Sequence, residues 1–325
     1  MLNQSSIVSL VIVNYNDRGY LRPCLCSIQC QSYLPLEVII VDNASLDGSI
    51  EMVINDFPEV ILIKNKENLY FASAYNQGIR IAKGEFVLCL NNDIILDNNF
   101  IKNIIEQKDI GLGVGMWAGK IMRMDKETID TTGLFLGKNR KPIERGYGQK
   151  DKGQFDKNGY VFGVGGAVVL FKKEMLEVIK IDNEYFDQDF KMFYEDLDLC
   201  WRANRFGWKA YYAANAIAYH KRGGTARTNT PKFRFFRKFS LAYLTPELQA
   251  NLVKNRYLTI IKNDSLKDVM KNFIFIIGYD IMLWGYVLFF NPKIIFYLYK
   301  MKNSFKDAFK KRRIIFEKLK LGRTK

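Results

Sequence analysis

The chain has 325 residues, of which 48% are hydrophobic, and a formal net charge of +15. This length allows one large domain with an appendage or two domains, and the apolar content suffices for a full core. A single His and an odd number of Cys, five, exclude a zinc site of Cys/His spacing and a regular disulfide framework. We expect free thiols in a reducing cytosol, and no signal peptide in residues 1–6.

The positive charge is concentrated at one end of the chain. Residues 221–325 contain 24 Lys and Arg against 6 Asp and Glu, whereas residues 1–220 contain 25 and 28. Strongly basic tails bind nucleic acid or anionic membrane surfaces. We therefore divide the chain into a catalytic-sized body, residues 1–228, and a basic, aromatic-rich helical region, residues 229–325.

Strands and helices alternate four times in the first 93 residues. Strands are predicted over residues 7–13, 35–41, 60–63 and 85–90, and helices over about residues 18–33, 49–55 and 72–82. This alternation is typical of a parallel, doubly wound α/β sheet.

Acidic or amide residues follow three of these four strands, at residues 14–17, 42–47 and 91–93. Ligands of open α/β sheets bind beyond the carboxyl ends of the strands, so these residues should line one crevice. Neither a Gly-rich dinucleotide fingerprint nor a Walker A loop follows the first strand. A metal ion on a carboxylate would then hold phosphate, with Asp93 well placed. The alternative for Asp93 is a helix cap.

The alternation stops in the second half of the chain. Residues 110–170 are rich in Gly and predict a mixed region of sheet and long loops. Gly165 and Gly166 lie in a segment too rich in Gly for a strand centre, which indicates backbone in close contact with a ligand. A bulge or turn is the alternative.

Residues 194–207 predict a helix with an acidic start and a basic end, as the helix dipole favours. On this helix Glu195, Asp198 and Arg202 share a face and predict a salt-bridged structural cluster. Asp196 is rotated from that face by about 100°, so it is the carboxylate that can face a ligand. The alternative is a first-turn acid that only complements the dipole.

His220 ends a further predicted strand and precedes a basic turn with two Gly, residues 221–225. A packed core residue and a ligand remain alternatives for it.

Six short motifs occur in order between residues 7 and 225. They are Val13-Asn14-Tyr15-Asn16, Val41-Asp42-Asn43-Ala44-Ser45 with Asp47-Gly48-Ser49, Asn76-Gln77-Gly78, Leu90-Asn91-Asn92-Asp93, Phe193-Tyr194-Glu195-Asp196-Leu197-Asp198-Leu199 with Arg202, and Tyr219-His220. Together they resemble the family 2 glycosyltransferases of GT-A fold, and among these the rhamnosyltransferase-type group. The resemblance implies a Rossmann-like mixed α/β sheet and an inverting transfer of sugar from a nucleotide diphosphate sugar.

The resemblance also implies roles for individual residues. Asp93 would bind Mg²⁺ or Mn²⁺, and His220 would complete the metal site or touch the diphosphate. Asp196, in the pair with Glu195, would be the general base. The implied nucleotide-sugar-binding residues are Asn14, Tyr15, Asn16, Asp42, Asn43, Ser45, Asn76, Asn91 and Asn92, and the Gly-rich segment described above adds Gly165 and Gly166. Two positions depart from the pattern: Asn91 replaces the first Asp of the Asp-x-Asp motif, and Tyr70 stands where relatives usually have Gly.

The basic tail contains an apolar segment, residues 273–290, interrupted only by Asp280 and followed by a shorter one, residues 294–299, and then by many lysines. An aspartate at the centre of a membrane-spanning helix is expensive. The pattern therefore favours a helical pair in the cytoplasmic membrane interface, with a packed helical subdomain or oligomer contact and a true span as alternatives. The aromatic and basic residues 233–239 suit nucleic acid, but no recognition motif accompanies them, and none is expected as a partner.

A membrane-bound tail on such an enzyme predicts a peripheral protein on the inner face of the cell membrane. Its acceptor would be a polyprenyl-diphosphate-linked saccharide in surface polysaccharide assembly, and its donor a dTDP- or UDP-sugar, with dTDP-rhamnose favoured. A sugar-nucleotide pyrophosphorylase would instead need a Gly-rich basic loop after the first strand. The other alternative is a non-catalytic, membrane-associated module that binds sugar nucleotides or glycans.

Overall fold

The computed structural model describes residues 6–222 and 244–322. The aromatic and basic residues 233–239, the turn at residues 223–225 and the expected boundary between residues 228 and 229 lie outside the described residues.

The first quarter of the chain forms the predicted parallel layer. Its elements are β1 Val8–Asn14, α1 Arg18–Gln29, β2 Leu36–Asp42, α2 Ser49–Asp56, β3 Ile61–Lys64, α3 Tyr70–Ile81 and β4 Phe86–Asn91. The strands lie in the order β3-β2-β1-β4, all parallel. Asn14 pairs with Asp42 and Val13 with Asn91 in the strand register. The polar strand ends therefore meet at one edge of the sheet, as predicted.

The second half adds strands of both directions, which confirms the predicted mixed sheet. Its elements are β5 Ile94–Leu96, α4 Phe100–Ile105, β6 Val114–Arg123, β7 Ile129–Thr131, β8 Leu134–Leu136, β9 Pro142–Glu144, β10 Gly159–Val161, β11 Val168–Lys172, α5 Lys173–Ile179, a 3₁₀ turn Gln188–Phe190, α6 Glu195–Arg205 and β12 Lys209–His220. β11 lies antiparallel between β4 and β6, and β12 pairs with β6. Because His220 pairs with Ile94, the end of β12 lies beside Asp93.

Alternate residues of β1 pack into two halves of the core. Leu10 and Ile12 lie on the face covered by α1, α2 and α4, whereas Val11 and Val13 lie on the face covered by α3, α5 and α6. Burial of both faces is the usual environment of parallel strands and explains their nearly continuous apolar sequence.

The C-terminal region, from residue 244 onward, is helical. Its helices are α7 Pro246–Asn263, α8 Leu266–Phe290, α9 Lys293–Lys300 and α10 Lys302–Gly322. Helix α7 begins with Thr245, whose side chain accepts a hydrogen bond from Leu248 N, and with Pro246 in the first turn. It packs against α6, α9 and α10. Sequence reasoning did not identify this helix.

Helix α8 is much more exposed than α7. Within residues 6–222 and 244–322 it is the one helix whose length and composition would allow it to cross a membrane. Its buried residues are Ile276, Leu283 and Val287. In contrast, Ile274 and Phe289 are both 82% exposed.

Candidate active site

A cavity of about 390 Å³ opens at the carboxyl ends of β1, β2 and β4, where the sequence predicts a site. Nine of the predicted site residues line it: Tyr15, Asn43, Asn91, Asn92, Asp93, Gly166, Glu195, Asp196 and His220. The fold therefore brings together residues from both halves of the chain. The predicted crevice at the polar strand ends is present.

Four other predicted residues are outside the cavity lining and hold the loops beside it. Asn14 Nδ2 donates to Asp42 Oδ2 at 2.8 Å and to Ser45 Oγ at 3.1 Å, and its Oδ1 accepts from Asn92 Nδ2 at 2.9 Å. Ser45 Oγ also accepts from Asn16 N at 2.8 Å. These contacts fix the loops after β1 and β2. Asn14, Asn16, Asp42 and Ser45 therefore support the cavity instead of lining it.

Two predicted binding residues are outside the cavity lining. Asn76 is buried under the segment before α6, where it donates to Phe186 O at 2.7 Å and accepts from Phe186 N at 2.8 Å. Gly165 packs against Glu144, whose carboxylate oxygens would lie 3.0–3.1 Å from an added Cβ. The contacts of Asn76 and Gly165 in the structure are therefore packing contacts, and their role in donor binding stays a prediction.

The acid pair lies in the first turn of α6, and both side chains face the cavity. Asp196 accepts hydrogen bonds from Leu197 N at 2.7 Å and from Gly166 N at 2.9 Å. In the described part of the chain, Glu195 Oε2 is buried without a hydrogen-bond partner. Burial, and then the charge of Asp196, raises the pKa of Glu195 to about 8. Burial also raises the pKa of Asp196, against the two backbone N–H groups that stabilise its charged form.

This asymmetry assigns different states to the two acids. A pKa of about 8 and the missing donor at Oε2 favour the protonated form of Glu195 at neutral pH. Asp196 is the acid that accepts backbone hydrogen bonds, and these favour its charged form over that of Glu195.

The predicted cluster of Glu195, Asp198 and Arg202 is wrong. Glu195 faces the cavity, Arg202 donates to Tyr185 O, and Asp198 accepts from Lys262 Nζ at 2.8 Å. Lys262 belongs to α7, so the partner of Asp198 comes from 64 residues further along the chain. Spacing along one helix could not predict that contact.

His220 lies between two carboxylates. Its Nε2 is 3.2 Å from Asp93 Oδ2, and its Nδ1 is 2.7 Å from Asp130 Oδ2. Burial lowers the pKa of His220, but the hydrogen bonds to Asp130 and Asp93 outweigh this effect and raise it to about 9. Arg222 Nε donates to the other oxygen of Asp130 at 2.5 Å. The imidazole is therefore held in a fixed orientation toward Asp93.

Asp93 and His220 are the residues with the right chemistry for a divalent cation. Asp93 offers a carboxylate oxygen, the ligand type that Mg²⁺ and Mn²⁺ prefer. His220 Nε2 lies 3.2 Å from it, close enough to contact the same ion, but it would do so only as the neutral imidazole, so the ion would displace the proton of His220. Among the described residues, no group of three or more His, Cys, Asp or Glu is arranged to hold a metal. The pair fits a site that phosphate oxygens complete, and a closed structural site does not fit.

Several cavity residues were missed by sequence reasoning. They are Val13, Asn68, Tyr70, Phe71, Tyr75, Ala167, Met192, Phe193 and Arg222. Asp17 also lines the cavity, as expected of residues 14–17. Tyr70 adopts φ of +60°, a left-handed conformation that favours Gly and explains the Gly usual at this position in the motif. Its departure from the motif was therefore a usable clue, as was the position of Arg222 two residues after His220.

Three comparisons bear on this site. A family model described as "Glycosyl transferase family 2" matches residues 9–179. The chain is 26% identical over 214 residues to a poly-beta-1,6-N-acetyl-D-glucosamine synthase of Staphylococcus aureus strain MSSA476, covering 65% of this chain and 49% of that protein. The protein of the same name from Staphylococcus epidermidis strain RP62A is 26% identical over 217 residues, with the same coverage. The chain thus spans about half the length of the curated relatives it matches.

A solved structure has a similar fold. It is described as the mannosyltransferase PcManGT from Pyrobaculum calidifontis in complex with GDP-Man and Mn²⁺. The TM-score is 0.54 at 16% sequence identity, over 94% of this chain and 76% of that one. At this identity the likeness describes the fold alone. The acid pair lies beyond the segment that the family model matches.

Proposed function

The chain belongs to glycosyl transferase family 2, and from that premise we propose an inverting, metal-dependent transfer of sugar from a nucleotide diphosphate sugar to a hydroxyl of a saccharide acceptor. It is a glycosyltransferase with a GT-A fold. The observation that carries the finer proposal is that the Asp196 side chain and the Asp93–His220 pair face one cavity. A base and a diphosphate site are the two groups that a direct displacement needs.

Asp196 is the proposed base. Its two backbone hydrogen bonds, from Gly166 N and Leu197 N, orient the carboxylate in the cavity. An acceptor hydroxyl that donates to Asp196 loses its proton as it attacks the anomeric carbon. One displacement of this kind inverts the anomeric configuration. Glu195, protonated at neutral pH, would donate a hydrogen bond to an acceptor oxygen.

The donor would lie across the polar strand ends. Tyr15 and Asn43 line the part of the cavity next to β1 and β2, where the base and ribose are expected. Asp93 and His220 would hold Mg²⁺ or Mn²⁺, which when bound neutralises charge on the leaving diphosphate. Arg222 also lines the cavity and places a second positive group there. A Mn²⁺ ion is named for the mannosyltransferase of similar fold, which supports this choice.

The donor sugar is proposed from the motifs. They favour dTDP-rhamnose over a UDP-sugar, whereas the names of similar proteins mention N-acetylglucosamine and GDP-mannose. A donor panel should therefore include dTDP-, UDP- and GDP-sugars.

The acceptor is proposed to be lipid-linked, and the protein to lie on the cytoplasmic face of the cell membrane. The apolar face of α8 supports this proposal, because exposed apolar patches of this extent typically contact other proteins or lipid. Lysines follow directly, at positions 293, 300, 302, 306 and 310. Basic residues beside an apolar helix bind anionic lipid headgroups. Surface polysaccharide assembly is the process to which such an acceptor would belong, and the polysaccharide synthases among the similar proteins support it.

The test is nucleotide release from the donor panel, with Mg²⁺ or Mn²⁺ and a membrane lipid extract as acceptor. We expect release from one donor, loss of release with EDTA, and a decrease of about 10²–10⁴-fold in Asp196→Asn. Glu51→Gln, on the exposed side of α2, is the matched control. Full activity in Asp196→Asn would reject this base.

A further inference from the structure

The segment that leads into the acid pair has an unusual backbone. Lys191, Phe193 and Tyr194 have φ values of +57°, +72° and +70°. Residues with side chains rarely adopt this left-handed region, and such conformations persist only where the surroundings enforce them. Met192 and Phe193 line the cavity, and Glu195 follows Tyr194 directly. The shape of residues 189–194 therefore determines where the acid pair lies.

The surroundings that enforce this shape are side chains of α7. Asn255 Nδ2 lies 2.9, 2.8 and 2.7 Å from the carbonyl oxygens of Phe190, Met192 and Phe193. Asn251 Nδ2 lies 3.1 and 2.7 Å from the first two of these oxygens. Two amides on successive turns of one helix thus bind the carbonyls of three loop residues.

A buried lysine extends this set of contacts. Lys254 Nζ donates to Asp189 O at 2.5 Å and to Asn251 Oδ1 at 2.8 Å. Asn251, Lys254 and Asn255 are 4%, 1% and 0% exposed. Because water cannot reach these groups, a lost side chain would leave loop carbonyls without a donor.

Helix α7 is itself held against the catalytic body. Lys262 contacts both Asp187 and Asp198, which lie on either side of the loop and the acid pair. The contacts of α7 with the loop therefore continue, through Lys262, to α6 and to the segment before the loop.

We propose that Asn251, Lys254 and Asn255 are positioning residues that fix the loop so that Asp196 faces the acceptor. This inference rests on the proposed function of Asp196 as the base. It makes α7 a part of the catalytic unit, whereas α8 would provide the membrane contact. Removal of α7 would then abolish transfer even to a water-soluble acceptor.

The test compares Asn255→Ala with Thr259→Ala in the full chain. Thr259 lies one turn further on α7 and is equally buried, but its hydroxyl donates only to Asn255 O of its own helix. We expect Asn255→Ala to lower kcat for transfer by about 10- to 100-fold, the effect of a misplaced catalytic group, with the donor KM changed less than about twofold. Thr259→Ala should keep both values, although both variants lose stability.

A second variant keeps the inference testable if Asn255→Ala does not fold. Asn251→Ala removes two of the carbonyl contacts and leaves those of Asn255, so a smaller loss of kcat, about threefold to tenfold, is expected. Unchanged kcat in both folded variants would overturn the inference, even if Asp196→Asn is inactive. If wild-type protein releases nucleotide from no donor, or if Asp196→Asn remains active, the proposed function is rejected, and this inference, which rests on it, is rejected as well.

Discussion

Asp280 and Arg256 form an ion pair, with 2.9 Å between Arg256 Nε and Asp280 Oδ1, that joins α8 to α7. Arg256 is 1% exposed, and its guanidinium lies 4.5 Å from the ring centroid of Tyr279. The one acid of the apolar segment therefore has its partner on the side of the catalytic body. This contact directs the opposite face of α8 outward, where Ile274 and Phe289 are exposed.

The first prediction concerns the stability of this pair. Asp280→Ala leaves the buried Arg256 without its carboxylate, and breaking a buried pair typically costs about 3–5 kcal/mol of unfolding free energy. We expect about 3 kcal/mol, because the Asp280 side chain is 16% exposed. Denaturant unfolding in mild detergent measures it. Asp307→Ala is the control, since its pair with Lys310 is exposed and should contribute less than about 1 kcal/mol. Equal losses in both variants would contradict the prediction.

The second prediction concerns the outward face of α8. Ile274→Lys places a charge at a position that is 82% exposed and that we propose to insert into lipid. Burial of an isoleucine side chain contributes about 1.5–3 kcal/mol, and attraction of the new lysine to anionic lipid offsets about 1 kcal/mol of this, so binding to anionic vesicles should weaken by about twofold to 30-fold. Co-sedimentation with the vesicles measures this change. Ile54→Lys changes an isoleucine of α2 that is 52% exposed and should bind as wild type does. If α8 instead contacts another protein, neither variant will change vesicle binding.

Much of the sheet was predictable because its strands carry local information. The β-branched runs and the polar residues at their ends located β1, β2 and β4 to within about two residues, and the parallel order then placed Asn14, Asp42 and Asn91 together. The position of the cavity was predictable for a related reason: the carboxyl ends of parallel strands share one edge of the sheet, and ligands bind there.

The rest depended on contacts between distant parts of the chain. The spacing of residues predicted that Asp198 pairs with Arg202. The actual partner of Asp198 is Lys262, which belongs to a helix that was not predicted from the sequence. The buried polar face of α7, with Lys254 and Asn255, was invisible for the same reason. Asn76 belongs to a family motif and is predicted to bind the donor, whereas the contact seen in the structure is with a backbone segment 110 residues later, a packing role. Residue type alone does not distinguish these roles.

The third prediction concerns the cation. Asp93 and His220 supply two ligands, so Mn²⁺ should bind tightly only when a nucleoside diphosphate completes the site. Electron paramagnetic resonance of free Mn²⁺, titrated with and without UDP, dTDP or GDP, measures this directly and needs no turnover. Asp93→Asn should weaken binding more than about tenfold, since even outer-shell changes have effects of that size. Asp125→Asn, an exposed acid in a turn, is the control. Equal Mn²⁺ affinity in Asp93→Asn and wild type would remove Asp93 from the site.

The fourth prediction concerns the proton on Glu195. Burial and the charge of Asp196 raise the pKa of Glu195 to about 8, whereas an unfolded chain has an ordinary Glu value near 4.3. The folded state therefore binds this proton more tightly. The stability it contributes is fully present below about pH 4 and is lost as pH rises through about 8. Wild-type protein should lose about 3 kcal/mol between pH 6 and pH 9 that Glu195→Gln does not lose, because glutamine stays neutral.

Thermal or denaturant unfolding at several pH values, without metal or nucleotide, tests this difference between the two proteins. Glu177→Gln is a comparison variant in which stability should depend on pH in the opposite direction. Hydrogen bonds from Lys180 and Tyr185 lower the pKa of Glu177, so its charged form stabilises the fold. That variant should be less stable than wild type at neutral pH and approach it as the pH falls below about 4. Parallel stability curves for wild type and Glu195→Gln from pH 6 to pH 9 would mean that Glu195 is already ionised. The acid pair would then hold two negative charges, and the distinction between a protonated Glu195 and a basic Asp196 would be lost.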